Sequence, residues 1–482
     1  MFFRVPGLRK TYGGCVVLAV LVCAACNSYN TPKRTTSANQ PKLRAFVSNP
    51  VHPNATGGGS PAIDVVDASR DQVSGFVIPL SSLGTGVSDA GAMVVSPKKD
   101  FTLMFSPADE KLAVIGNSQL SLLASIGLPG STESFFVWTD DTTIFVALPN
   151  AAVLGQSPGV VQRMSVATRS TTASLPIPGA HYLVPSPDGK RILVISDNTN
   201  TVTVVDPNLI NSGNPLTPIQ NLAGCVPDLD QPNACFFDRP VAAVFSSDGT
   251  KAYILNCGKQ CGGQSFSATN CAQLSCGSIT TLDMGTLMPV TPMALPNAGA
   301  TAALLVNGTL YVAGTAPPVQ AGQNTCSAVT TAATRCGQLT SIALSSMSVT
   351  GSAVITDGHH THMQMGANGQ LFIGSRNCTN INVSGGEMRG CLSIVDTSSP
   401  LSNSSVVVPP DNGDVTGIAT IPDRPPSGQI SPSVVYVCEG GRLRVYDTSR
   451  DPSSNKPRDK LEVLTIPPTV IGQAIDVAVV DF

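Results

Sequence analysis

A two-residue turn signal recurs along this chain at a nearly constant interval. Asp188-Gly189, Asp248-Gly249, Asn307-Gly308 and Asn368-Gly369 each separate two short apolar runs, and successive glycines lie 60, 59 and 61 residues apart. The flanks HYLVPSPDGKRILVIS, VAAVFSSDGTKAYILN, AALLVNGTLYVAG and HMQMGANGQLFIGS alternate or run apolar as strands do, and each Asp/Asn-Gly pair is expected to supply the positive φ of a tight hairpin turn. Self-similarity at such a period means one supersecondary unit repeated, each copy burying its apolar face against the next.

Only 12% of residues are charged, Gly and Pro are abundant (44 and 38), and no long stretch has the 3.6-residue period of an amphipathic helix. That profile is all-β with many turns. In the fullest copy, AHYLVPSPDG, KRILVISD, TVTVVDP and PLTPIQNL read as four consecutive strands. The third strand tends to end in aspartate, at Asp67, Asp206, Asp283, Asp396 and Asp447, where a short acceptor can bond backbone N–H groups of the following turn.

The apolar strand, the PDG or NG turn, the TLYV, AYIL or VYVC strand and the VVD strand resemble the YVTN-type repeats of bacterial surface and periplasmic proteins, over essentially the whole chain after Ala45. The resemblance implies a β-propeller of four-stranded blades and no particular activity. Eight blades are expected, at about 45–80, 91–129, 132–179, 180–222, 239–296, 298–356, 359–410 and 413–470; merging two in the degenerate region 91–179 gives seven. The first blade lacks an innermost strand, and the C-terminal IGQAIDVAVVDF has the pattern to supply it and close the ring.

The N-terminus reads as an export signal. Arg4, Arg9 and Lys10 precede CVVLAVLVCAA, an apolar stretch of about eleven residues, shorter than the ~20 of a spanning helix. Ala24-Ala25-Cys26 resembles a bacterial lipobox, with Cys23 where Leu is usual, which makes Cys26 the lipidated residue; secretory cleavage after small residues is the alternative. Residues 1–25 are then the signal, 26–44 a polar tether and 45–482 the propeller, facing the periplasm or the surface from the outer membrane. Removing 1–25 takes away three positive charges and no negative one, moving the formal charge from −3 to −6; with no basic run, nucleic acid is not expected as a partner.

Eleven of the 14 cysteines follow Cys26. In an oxidising compartment the spacing is read as Cys257–Cys276, Cys261–Cys271, Cys326–Cys336, Cys378–Cys391 and Cys225–Cys235, with Cys438 a buried free thiol; metal ligation by CGKQC is the alternative. Most of these pairs bracket connections between second and third strands, which in a propeller emerge opposite the PDG turns.

One segment carries possible chemistry. GHHTHMQM holds His359, His360 and His362, and on a regular strand His360 and His362 face one side, towards the channel mouth, where a transition metal is a possible ligand. His181, Asp89, Glu133, Asp238, Arg239 and Asp414 fall at or near the corresponding positions of other blades. Two functions follow. The first is a lipid-anchored, monomeric module that binds an envelope protein, peptide or polymer on its cystine-rich face, with no cofactor. The second resembles the propeller lactonases: His360 and His362 hold an ion while Asp414 or Glu133 assists. No GxSxG, HExxH or phosphate-binding glycine loop occurs. Trp138 is read as blade core and SPDGK as a turn, since it lacks the alternating oxygens of a calcium loop.

Overall fold

The computed structural model describes residues 40–481 apart from 55–56, 82–85, 198, 221–234, 264–276, 291, 296–298, 316–335, 380, 383–387, 405, 410–412, 422–432 and 449–469. Consecutive antiparallel hairpins assemble eight blade sheets in chain order, as the repeat predicts, and among the described residues a further two-stranded sheet pairs Ile381–Asn382 with Met388–Arg389. Blades 2 to 7 begin with the innermost strands Met93–Val95, Ser134–Val137, Ala180–Pro185, Pro240–Phe245, Ala302–Val306 and His359–Met365, and each carries three further strands outward. Blade 8 comprises Val415–Ile421, Val434–Glu439 and Arg442–Asp447 among the described residues.

Blade 1 takes Leu43–Pro53, Gly59–Asp67 and Gln72–Pro79 from the start of the domain and Asp476–Asp481 from its end. Leu43 pairs with Asp481 and Ser48 with Asp476, so the C-terminal strand closes the ring as expected. Lys99 of blade 2 makes an ion pair with Asp481 across that seam.

Second strands run almost wholly buried because both faces of a blade are covered by neighbours: Phe101–Ser106, Thr143–Leu148 and Ile192–Ser196 have no exposed residue. The core is accordingly not one cluster but eight, each between consecutive blades. Phe101, Leu103 and Phe105 of blade 2 meet Phe135, Ile144 and Val146 of blade 3, for example, and Ala45 and Val47 of blade 1 meet Val434 and Tyr436 of blade 8. Trp138 belongs to the blade 3–4 cluster, 5.9 Å from Phe136 and 5.5 Å from Phe145 between ring centroids.

Local chemistry explains the turns. Asn307 (φ 48°) and Gly308 (φ 78°) form the two-residue turn with both angles positive. At the PDG turns only Gly189 (66°) and Gly249 (70°) are positive, because the loop is longer: the Ser186 hydroxyl donates to Asp188 at 2.7 Å while Gly189 N–H donates to the Ser186 carbonyl. The strand-ending aspartates accept backbone N–H groups two residues on at Asp67, Asp206, Asp283 and Asp396, at 2.9–3.1 Å.

The cysteines depart from expectation at one place. Cys257 is bonded to Cys261, with Cα atoms 5.7 Å apart, so neither Cys257–Cys276 nor Cys261–Cys271 forms. The cause is local: Gly258 at φ 64° starts a single helical turn, Gly258–Cys261, that folds Cys261 back onto Cys257. Cys378–Cys391 forms as predicted. Closing these loops contributes about 2 and about 3 kcal/mol in the chain-entropy treatment. Cys235 and Cys336 are also disulfide-bonded; Cys225, Cys271, Cys276 and Cys326 lie outside the described residues. Cys438 is a free, buried thiol.

Candidate functional site at the channel mouth

Innermost strands line the central channel, and several begin with an irregularity in pairing. The register shifts between Ala180 and Tyr182, Pro240 and Ala242, His360 and His362, and Val415 and Gly417. One extra residue is inserted in each, namely His181, Val241, Thr361 and Thr416, and such a bulge re-aims the side chains around it.

This corrects the reading of the histidine segment. His360 pairs with Ser375 and His362 with Gly374, which are consecutive, so the two imidazoles lie on opposite faces of the blade rather than on one side. His360 is 1% exposed and packs against blade 6, where a Cβ on Gly337 would come within 2.7 Å of its ring. Its Nε2 donates to the Thr356 carbonyl at 2.9 Å, which leaves Nδ1 buried and without a partner among the described residues. Burial outweighs that bond and holds the His360 pKa at about 4. His362 Nδ1 is hydrogen-bonded to the Thr361 hydroxyl at 2.7 Å, and burial, then the Arg376 charge, brings its pKa to about 4. Among the described residues no three His, Cys, Asp or Glu side chains are grouped to hold a metal ion.

A different cluster assembles at the mouth. His181 is flanked by carboxylates on both ring nitrogens: Nδ1 lies 2.6 Å from Asp197 Oδ1 and Nε2 3.3 Å from Glu133 Oε2. Its ring stacks on Tyr182, with centroids 4.0 Å apart. Burial opposes the imidazolium, but the hydrogen bonds and charges of Glu133 and Asp197 together outweigh it and raise the pKa above 6.5. Reciprocally, the bond from His181 lowers the Glu133 pKa against partial burial. Burial, reinforced by the two carboxylates, pushes Tyr182 up to about 12.

Blade 7 completes the cluster. Arg376 ends its second strand and pairs in register with His359. The Arg376 charge acts on Glu133 of blade 3, Tyr182 of blade 4 and Asp476 of blade 1, which places the guanidinium near the ring axis. The His359 pKa is lowered from 6.5 by partial burial first and by the Arg376 charge second. Asp476 heads the closing strand; its carboxylate accepts the backbone N–H groups of Met93 and Val477 at 2.7 and 2.8 Å, yet burial still raises its pKa to about 7.

Of the expected mouth residues, the structure thus brings together His181, Glu133 and His359. The others serve the backbone nearby. Asp89 accepts the N–H of Ala90, and Asp414 that of Asn377 at 2.7 Å. Asp238 is buried, its carboxyl beside Gly263 under the Cys257–Cys261 turn, and the Arg239 N–H donates to Asn200. Sequence reasoning passed over Asp197, Arg376 and Asp476. The first two share a signal: a charged residue ending an apolar second strand, as in ILVISD and LFIGSR.

Beneath the mouth the channel holds a cavity of 320 Å³ lined by the innermost strands of blades 3 to 7, among them Tyr182, Leu183, Val241, Ala242, Ala302 and Met363. We expect the His181 Cε1–H resonance to titrate with a midpoint above 6.5, and Glu133→Gln to lower that midpoint by removing a carboxylate partner. An unchanged midpoint in the variant, measured by NMR, would show that Glu133 does not reach the ring.

No protein-family model matches the chain, and no curated protein sequence matches it. Solved structures do, at low identity. Kuenenia stuttgartiensis hydrazine synthase aligns over 77% of this chain and 99% of its own at 13% identity, TM-score 0.51. Dihydro-heme d1 dehydrogenase NirN, in complex with DHE, aligns over 93% of this chain and 77% of its own at 12% identity, TM-score 0.53. The periplasmic gluconolactonase PpgL of Pseudomonas aeruginosa aligns over 91% and 99% at 15% identity, with a TM-score of 0.42. At such identities the likeness is one of fold alone, and the fold of this chain is an eight-bladed β-propeller.

Proposed function

We propose that this chain is an exported propeller, anchored through a lipid on Cys26, that binds an envelope protein, peptide or polymer on its cystine-bearing face. The observation that carries the reading is the coincidence of braced loops and charge on that one face: Arg376 lies two residues before the Cys378–Cys391 bridge, beside the His181–Glu133–Asp197 cluster. Asp357 clamps the same loop by accepting the Thr379 N–H and hydroxyl at 2.7 and 2.6 Å. Loops held rigid on a scaffold keep the entropic cost of binding low. The lipobox and the polar tether supply the anchor.

The test uses the full chain in living cells. A photoreactive residue at exposed position 379, on the cystine face, is compared with one at position 190, on the opposite turn face. A single discrete adduct from 379 and none from 190 supports the reading; equal or absent adducts at both overturn it. Cys26→Ser is expected to move the protein from the membrane to the soluble fraction, and no redistribution would remove the lipid anchor.

A further inference from the structure

Arg376 is the unusual group at the mouth. Its side chain is held by no ion pair or side-chain hydrogen bond among the described residues, although it stands beside the cavity-lining His359. The nearby carboxylates are engaged elsewhere: His181 holds both Glu133 and Asp197, and Asp476 is committed to two backbone N–H groups. A guanidinium with its planar donors unused is suited to a carboxylate from outside the chain. The cavity that His359 lines is mixed in character: Leu183, Val184, Val241, Ala242, Ala302 and Met363 from four blades form its apolar part, beside the polar Ser134, Thr301 and Thr361.

We propose that the channel binds a small organic carboxylate, its head on Arg376 at the mouth and its apolar body in the cavity between the innermost strands of blades 3 to 7. The volume sets the size. A cavity of about 150 Å³ accepts benzene, so 320 Å³ admits a body of roughly eight to twelve heavy atoms. His359, opposite Arg376 in register and part of the cavity lining, supplies a second donor at the head. This site goes beyond the loop-face reading and stands or falls without it, because its ligand lies inside the ring rather than on the loops.

Calorimetric titration of the full chain with 3-phenylpropanoate, its primary amide, octanoate and acetate separates the contributions of charge and apolar body. The acid is expected to bind about tenfold more tightly than the amide, the difference a charge-assisted hydrogen bond makes, and acetate not to saturate. Arg376→Gln, a change at an exposed side chain, is expected to erase the preference for acid over amide without altering the melting temperature. Ala242→Leu, which fills the channel, is expected to abolish binding of both; Ala303→Leu serves the same purpose if that variant fails to fold. Equal affinity for acid and amide in the parent protein, or an acid preference that survives Arg376→Gln, would overturn the assignment. So would the absence of saturable binding by both 3-phenylpropanoate and octanoate. Failure here leaves the crosslinking result at position 379 untouched.

Discussion

Truncation after Ile475 is expected to lower the urea midpoint of unfolding by about 2 M, or to abolish the cooperative transition altogether. The last strand supplies six paired positions to blade 1 and buries Val477, Ala478 and Val480 against both neighbouring blades. Burial of the two valines contributes about 1.5–3 kcal/mol each, and each ladder hydrogen bond adds about 1 kcal/mol. The total is comparable with the 5–15 kcal/mol that holds a domain together. The larger loss is topological. Without the strand, blade 1 exposes the edge Leu43–Pro53, and blades 2 and 8 lose the surface that joins them, including the ion pair to Lys99 and the Asp476 acceptor for Met93. A synthetic peptide covering 473–482 added in trans should restore part of the midpoint. A truncated protein as stable as the full chain would show that the ring does not depend on this closure.

Replacing His360 by Gln is expected to reduce acid sensitivity. The imidazole is neutral in the folded protein, with its pKa brought to about 4 by burial, against the ordinary 6.5. A depressed histidine pKa gives stability that is complete above pH 6.5 and is lost as the pH falls towards 4, since the unfolded chain takes up the proton first. The span is worth about 3 kcal/mol. Asp476 acts in the opposite sense: with its pKa raised to about 7, it favours the folded state progressively as the pH falls from 7 towards 3.8. The parent pH profile therefore mixes the two, and the difference between parent and His360→Gln isolates the histidine. Glutamine keeps a donor for the Thr356 carbonyl but no titrating proton. The stability difference, measured by denaturation at intervals from pH 7.5 to 4, should shift by about 3 kcal/mol in favour of the variant. A difference independent of pH would mean that the ring is not buried in its neutral form.

The His360 case shows where sequence reading stops. Period-2 alternation placed His360 and His362 on one side, and it would be right for a regular strand. The inserted residue Thr361 reverses that relation. Bulges at the same level in blades 4, 5 and 8 present His181, Val241 and Thr416, yet nothing in those short segments announces the extra residue, because it is fixed by how the innermost strand enters a crowded ring. The disulfide departure has a shorter range: Gly258 permits a turn that brings Cys261 within reach of Cys257 before any distant cysteine is met.

Strands, turns and the closing role of IGQAIDVAVVDF were determined by the sequence alone, since alternation, Asp/Asn-Gly turns and capping aspartates act between residues close along the chain; the choice of eight blades over seven in 91–179 was decided by the structure. The channel mouth was decided by the tertiary structure. Glu133, His181, Arg376 and Asp476 belong to four blades, and their mutual charges depend on the ring's curvature and on burial at its axis. Those quantities arise only when blades separated by hundreds of residues converge.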